Sequence, residues 1–400
     1  MSESHTMDRA DLGIRSQFPG LLTGDGEPWH YLDSGATAQK PRVVIDAMAR
    51  ALGEDYATVH RGIYSRSAQM TLGYEAARRR VAAFIGGGED ELVFTRGATE
   101  AINLVAYSYP NKGRVLLSQL EHHSNIVPWQ LAGWQVDVCP LTEDGRIDLD
   151  AAEAMLTPEH EMVAFAHVSN VLGSVLDAKR AAELAHSVDA KLLLDGCQAA
   201  PRLPVDVEAI GCDFYAMSAH KMYGPTGIGA LWGRKELLEF MPPWQGGGSM
   251  IDKVTFAETT YAPPPQRFEA GTPAIAEALA FATACDFIED IGLDTIEAHE
   301  RSLVSQLREE LARIQGVRVF GPEDSLAIVS FELPGVHPHD LGTILDEENV
   351  AIRAGHHCCQ PLMDHLGVPG TARASFGVYS DESDIAALMR GIDRTLKIFA

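Results

Sequence analysis

The sequence predicts an α/β protein, with a large three-layer α/β/α domain built on a mainly parallel sheet and a smaller α/β domain at the C-terminal end. Three observations lead there. From about residue 90 to 220, short apolar runs alternate with helical patterns, as expected when strand-helix-strand crossovers build one parallel sheet. In that stretch the residues able to do chemistry sit at the C-terminal ends of the runs, where open α/β sheets bind their ligands. The length of 400 residues suits one large and one smaller domain. The expected division is an N-terminal segment at 1–22 packing on the small domain, a large domain at 23–285 and a small domain at 286–400.

Composition narrows the function. Hydrophobic residues make up 46% and charged residues 22% of the chain, with a formal net charge of -24 and a pI near 4.9. So acidic a chain with no basic run is a poor match for a phosphate backbone or an anionic membrane, which sets nucleic acid and membrane partners aside. The first 17 residues carry Asp, Glu, Arg and His without an apolar core, so neither a signal peptide nor a membrane span is expected, and a cytoplasmic location follows. The six cysteines are scattered and contain no CxxC pair, which suggests core residues rather than a disulfide framework.

In chain order, Tyr31-Leu32-Asp33-Ser34-Gly35-Ala36-Thr37 reads as a strand entering a loop of small residues, followed by a helix from Pro41. His60 and Arg61 precede a helix expected over 74–84. A strand at 91–95 leads into Arg96-Gly97-Ala98-Thr99-Glu100 and a helix through 107; its exposed N–H groups could bind an anion, or Thr99 could simply cap it. The strand at 114–118 delivers Glu121-His122-His123, where an imidazole can stack on a flat ring and move protons near neutral pH. The strand at 162–167 ends in Ser169-Asn170, and a helix at 179–187 leads to Lys191-Leu192-Leu193-Leu194-Asp195, then Gly196-Cys197-Gln198.

Next comes Tyr215-Ala216-Met217-Ser218-Ala219-His220-Lys221, a strand that ends on a lysine before a Gly/Pro turn, and a second strand at 228–232. A lysine among small, partly apolar neighbours is neutral often enough to attack a carbonyl carbon. A lone lysine would read as surface, but Asp195 at the end of the preceding strand changes that. A buried carboxylate needs a cationic partner, and pyridoxal 5'-phosphate needs both an amine for its aldehyde and an acid for its ring nitrogen.

Beyond Gly246-Gly247-Gly248 and Pro263-Pro264-Pro265 lies Arg267-Phe268-Glu269-Ala270-Gly271-Thr272-Pro273, before a helix at 274–291 that Thr272 could cap. The small domain is read as a helix at 294–314, strands at 317–320 and 327–332, and a helix over 340–348 capped by Asp340. Strands at 350–353 and 372–376 and a helix at 382–399 complete it. Between them runs Arg353-Ala354-Gly355-His356-His357-Cys358-Cys359-Gln360-Pro361. Four consecutive His and Cys side chains cannot converge on one tetrahedral ion, so no metal is expected. A thiol in a polar loop beside His and Arg is instead placed to be a nucleophile.

The Lys221 and Asp195 pair resembles fold-type I pyridoxal-phosphate enzymes, and Ser218 to Lys221 with Gly224, Gly227 and Gly229 resembles the class V aminotransferase signature. With the Arg-x-Gly-His-His-Cys loop, the whole chain is similar to SUF-type cysteine desulfurases. The resemblance implies a homodimer that converts L-cysteine to L-alanine through a persulfide on Cys358. By the same resemblance the sulfur would pass to a small acceptor protein of the SUF system for iron–sulfur cluster assembly.

The resemblance further implies that Lys221 carries the cofactor and acts as acid and base, Asp195 holds the ring nitrogen and His122 stacks on the ring. Gln198 and Asn170 would bond the phenolate oxygen, Ala98 and Thr99 with Ser218 and His220 would hold the phosphate, and Thr272 would reach the partner's phosphate. Arg373 would grip the substrate carboxylate, aided by Arg353, Asn170 could bond the substrate instead of the phenolate, and His60 and Arg61 would lie at the site mouth. Cys359 departs from the pattern, leaving open a persulfide relay, a vicinal disulfide or no role. Two rival readings are a selenocysteine lyase or related class V enzyme and, outside enzymes, a silent scaffold in a sulfur-transfer complex.

Overall fold

Leu192, Leu193 and Leu194 are all fully buried in the computed structural model, which describes residues 12–399. Leu192 and Leu194 pack into one apolar cluster and Leu193 into another. Successive side chains of a strand point to opposite faces, so this run is solidly apolar because helices cover both sides of its sheet.

That sheet has seven strands in the order Leu92–Thr95, Gly229–Gly233, Phe214–Ser218, Lys191–Asp195, His160–Ala166, Arg114–Ser118, Gln135–Cys139. Only Gly229–Gly233 runs against the rest. The chain therefore leaves the other strands at one common edge of the sheet. Each crossover helix buries a single stripe, as in Ala178–Ser187, where Ala178, Ala181, Ala182 and Ala185 face inward.

A second, four-stranded antiparallel sheet forms the C-terminal unit, in the order Arg318–Phe320, Ile328–Glu332, Thr371–Ser375, Arg353–Gly355. Helices Leu293–Ala312, Pro338–Asp346 and Glu382–Phe399 supply its core with Leu303, Leu307, Leu341, Leu345, Leu388 and Ile392. The N-terminal part reaches this unit. His30–Tyr31 pairs in parallel with Val350–Ala351, and the Arg15 guanidinium donates to both carboxylate oxygens of buried Asp384 at 2.7 and 3.0 Å. Of the expected 1–22 segment, residues 1–11 lie outside the described residues. Among the described residues, no helix is long and apolar enough to cross a membrane.

Several local expectations need correction. Ser65–Phe84 is one helix, starting nine residues before 74; its polar first turns are held by Met70 and Tyr74, which are buried in register with Ala77 and Val81. Asp340 is no cap, since the His337 ring accepts the first free N–H, from His339. Thr99 and Thr272 do not cap either: the N-cap positions are Gly97 and Ala274. Strand Gln135–Cys139, helices Leu149–Met155 and Lys235–Phe240, and the hairpin Ile251–Val254 with Thr259–Tyr261 were not anticipated.

Candidate active site

Three strands place their last residues, Ala166, Asp195 and Ser218, in the wall of one cavity of about 200 Å³, and the segments after Thr95 and Ser118 add Ala98, Thr99 and His122; Lys221 lies in the same wall. Lys221 ends a tight turn, Ala219–Lys221, that follows Phe214–Ser218 directly. The carbonyl just before it, His220 O, accepts from Ala38 N at 3.0 Å, Lys40 Nζ at 3.0 Å and Thr37 Oγ1 at 3.3 Å. Three donors on one oxygen fix the peptide that carries the amine. Asp195 is 8% exposed, and its Oδ1 accepts from Cys197 N at 3.0 Å.

The His122 ring lines the same cavity. Ser124 N donates to His122 Nδ1 at 3.1 Å, so that nitrogen keeps its lone pair and the ring proton sits on Nε2. Burial, and then the Lys221 charge, push this imidazole down to about 4. Just before it, Glu121 is a buried anchor that sequence reasoning missed: it accepts from Ser118 Oγ at 2.5 Å, Asn125 Nδ2 at 2.7 Å and Ala166 N at 3.1 Å. Burial pushes its carboxyl up to about 7. No local sequence pattern separates it from a surface glutamate.

At the other end, Ala98 N donates to Ser218 Oγ at 2.9 Å. That leaves the Ser218 hydroxyl hydrogen free to point elsewhere. Ala98, Thr99, Ser218 and His220 also line an adjoining opening of about 500 Å³ at the start of helix Ala98–Ser108. A Cβ on Gly97, whose φ is +155°, would lie 3.3 Å from Ser218 Oγ, so the glycine leaves the approach open. Buried His220 Nδ1 has no hydrogen-bond partner among the described residues. A donor-lined helix start of this kind suits a phosphate, and an acid with an amine beyond it suits a pyridine aldehyde. The residues present fit pyridoxal 5'-phosphate.

The C-terminal four-stranded sheet adds Arg353 and Arg373 to the cavity wall. Arg373 is 1% exposed; its Nη1 donates to Asn170 O and its Nη2 to Asp33 Oδ1, both at 2.8 Å. Its Nε, also buried, has no partner among the described residues, leaving part of a carboxylate-binding fork available. Arg353 Nη2 is 3.6 Å from Cys358 Sγ, so the thiol stands one side chain away from the cavity.

The remaining sequence candidates divide. Gln198 lines the cavity, but Nε2 donates to Gly35 O at 2.7 Å and Oε1 accepts from Arg202 Nη1 at 2.9 Å. Asn170 also lines it, with both ends of its amide turned to the thiol loop. Thr99 Oγ1 pairs with Ser124 Oγ at 2.7 Å. His60 and Arg61, expected at the site mouth, are not in the wall of this cavity within the single chain. They line a separate cavity with Gly271 and Pro273, and His60 Nε2 pairs with Glu75 at 2.7 Å. Thr272 faces a third cavity, of about 430 Å³, bounded by the same Gly271 and Pro273. Apart from Cys358, the candidates missing from the Lys221 cavity, His60, Arg61 and Thr272, thus border the same Gly271 and Pro273. Cys359 and Cys358 are both free thiols.

Three histidines near the site make stability acid-sensitive. Burial pushes His122, His167 and His220 each down to about 4. An unfolded histidine takes a proton near 6.5, so between 6.5 and 4 the unfolded chain binds more protons and the fold weakens as pH falls. For fully buried His167 the loss is about 3 kcal/mol. Buried Glu121 and Glu300, both pushed up to about 7, take up protons in the folded chain over the same range and offset part of this loss. The urea midpoint of the apoprotein is still expected to drop from about pH 7 to about pH 4.5, and a rise would contradict the histidine environments.

The aminotransferase class-V family model matches residues 30–388. A probable cysteine desulfurase of Halalkalibacterium halodurans is 46% identical over 96% of this chain and 98% of its own length. A cysteine desulfurase of Dickeya dadantii is 44% identical over 98% and 97%. Among solved structures, the cysteine desulfurase CsdA of Escherichia coli superposes with a TM-score of 0.91 at 39% identity, covering 98% of this chain and 99% of that one.

Proposed function

The chain belongs to the aminotransferase class-V family and is a pyridoxal-phosphate-dependent cysteine desulfurase; we propose that it turns L-cysteine into L-alanine by drawing the sulfur onto Cys358. The observation that carries this reading is the Arg353 guanidinium, which lines the Lys221 cavity and at the same time reaches Cys358 Sγ. One guanidinium thus ties the sulfur to the cavity where the substrate would bind.

When bound, the cofactor withdraws electrons from the substrate's Cα. Asp195 would hold its ring nitrogen, His122 would lie against the ring, and Ser218, His220, Ala98 and Thr99 would hold its phosphate. Lys221 takes the proton from Cα and returns it. Arg373 binds the substrate carboxylate and sets the Sγ toward the small domain. The Cys358 thiolate attacks that Sγ; the Cβ–S bond breaks, its electron pair stays with carbon and is protonated. The products are L-alanine and a Cys358 persulfide, whose outer sulfur leaves to a thiol.

We assign it to the SUF-type group, working as a cytoplasmic homodimer that supplies iron–sulfur cluster assembly through a small acceptor protein. The support is the short loop, which runs from Cys358 straight into helix Gln360–Leu366. In the dimer, the face carrying Thr272, His60 and Arg61 would meet the partner's site. Assaying alanine and sulfide from L-cysteine, with and without a reductant, tests the central step. Cys358→Ala is expected to lose at least about a hundredfold in both products, while full turnover by that variant would point to a lyase instead.

A further inference from the structure

Cys359 follows the nucleophile, and its side chain is fully buried. Its Sγ lies 3.1 Å from Asn170 Oδ1 and 3.7 Å from Leu120 O. The opposite end of the same amide, Nδ2, donates to His357 O at 2.8 Å. One large-domain side chain therefore grips the loop on both sides of Cys358. His123 strengthens the hold, since its N–H donates to Cys358 O at 2.8 Å and its Nε2 accepts from Gln360 N at 3.1 Å.

The loop needs holding. His357 and Cys358 have φ of +52° and +57°, a left-handed pair that residues with a Cβ keep only when their surroundings impose it. The amide imposes it in one orientation only. Turned over, Asn170 would set its NH₂ against the thiol hydrogen and its carbonyl against His357 O, losing both bonds. The His357 carbonyl, which can only accept, sets which way the amide faces, and the Cys359 thiol proton then satisfies the oxygen at its other end. Burial pushes the Cys359 thiol up to about 12, so it keeps the proton it donates and makes a poor attacking group. Asn170 has one further tie: its own carbonyl accepts from Arg373 Nη1 at 2.8 Å, which links the thiol loop to the arginine assigned to the substrate carboxylate.

We propose that Cys359 is a positioning residue whose thiol locks the Asn170 amide and, through it, holds Cys358 in its attacking conformation. This deepens the assignment of Cys358 as nucleophile and rests on it. It gives the second cysteine a structural task in place of a sulfur relay, and the task belongs to a hydrogen-bond donor rather than to sulfur chemistry.

The test uses the full-length holoenzyme with Cys359→Ala, Cys359→Val and Cys359→Ser beside Cys358→Ala. Valine fills the volume without a donor, whereas serine keeps a donor. Leaving Asn170 Oδ1 unsatisfied is expected to lower kcat for sulfide release about tenfold in the Ala and Val variants. KM for L-cysteine should stay within about twofold, because the substrate grip lies elsewhere. Cys359→Ser should recover to within about threefold of wild type. Mass spectrometry after one turnover should find the extra sulfur on Cys358 alone. Wild-type kcat in Cys359→Val, a serine variant as slow as valine, or a persulfide on Cys359 in Cys358→Ala would each overturn the proposal. If Ala does not fold, the Ser and Val comparison decides alone. Full turnover by Cys358→Ala would instead remove the nucleophile assignment beneath it.

Discussion

Lys221→Ala is expected to end alanine and sulfide release, with a loss of at least about 10³-fold. The amine has two tasks here, bonding the cofactor and moving the Cα proton, and no other lysine lies on the cavity wall. Lys40 is nearby, and burial pushes it down to about 8. Its Nζ, however, donates to Ala38 O and His220 O, and it is absent from the cavity wall. Borohydride reduction followed by peptide mapping should find the cofactor on Lys221 in the wild type and on no residue in the variant. Retention of a tenth of the activity would mean that another base reaches Cα. The variant should fold, because the Ala219–Lys221 turn is held by its backbone carbonyl and not by the lysine side chain.

Lys221 was legible because its signal is local. A solid apolar run, Phe214–Ser218, stops at a small-residue turn, and the lysine falls where the sheet ends. The same logic found Lys191–Asp195, whose three leucines mark a strand covered on both faces. Strand Gln135–Cys139 escaped it for the opposite reason. It is the sheet's outer strand, partly open to solvent, so its polar residues blur the alternation. Pairings between distant residues were not readable at all. Asp33 sits in the small-residue loop, yet its partner Arg373 comes 340 residues later. Family resemblance reached further than periodicity by pointing to Arg373, which lies in the Lys221 cavity wall, and to Cys358, which lies against Arg353 beside it. It also placed His60 and Arg61 beside the substrate, whereas within one chain they share a cavity with Gly271 and Pro273. Cys359 shows the limit of both approaches, since its partner Asn170 lies on the other domain and the contact exists only in three dimensions.

Arg373→Lys is expected to lower kcat/KM for L-cysteine by about 10²- to 10³-fold, mainly through KM. The guanidinium already spends one N–H on Asn170 O and one on Asp33. What remains, including the unpartnered Nε, can still meet two carboxylate oxygens along one edge. An ammonium at the same place is a single point charge and would have to drop one of these ties to bind substrate. Desolvation pulls the Arg373 pKa down and the Asp33 carboxylate opposes it. Removing the cation with Arg373→Met would therefore leave Asp33, whose side chain is 22% exposed, without its counter-charge. That variant should lose roughly 3 kcal/mol of stability as well. Asp33→Asn separates the two effects: the amide oxygen can still accept from Nη2, so KM should rise less than in Arg373→Lys. Arg353→Lys should give the opposite split, with kcat falling and KM little changed, because that guanidinium lies against Cys358 Sγ. If Arg373→Lys leaves KM untouched while Arg353→Lys raises it, the carboxylate grip belongs to Arg353, and Arg373 serves only to tie Asp33 to Asn170.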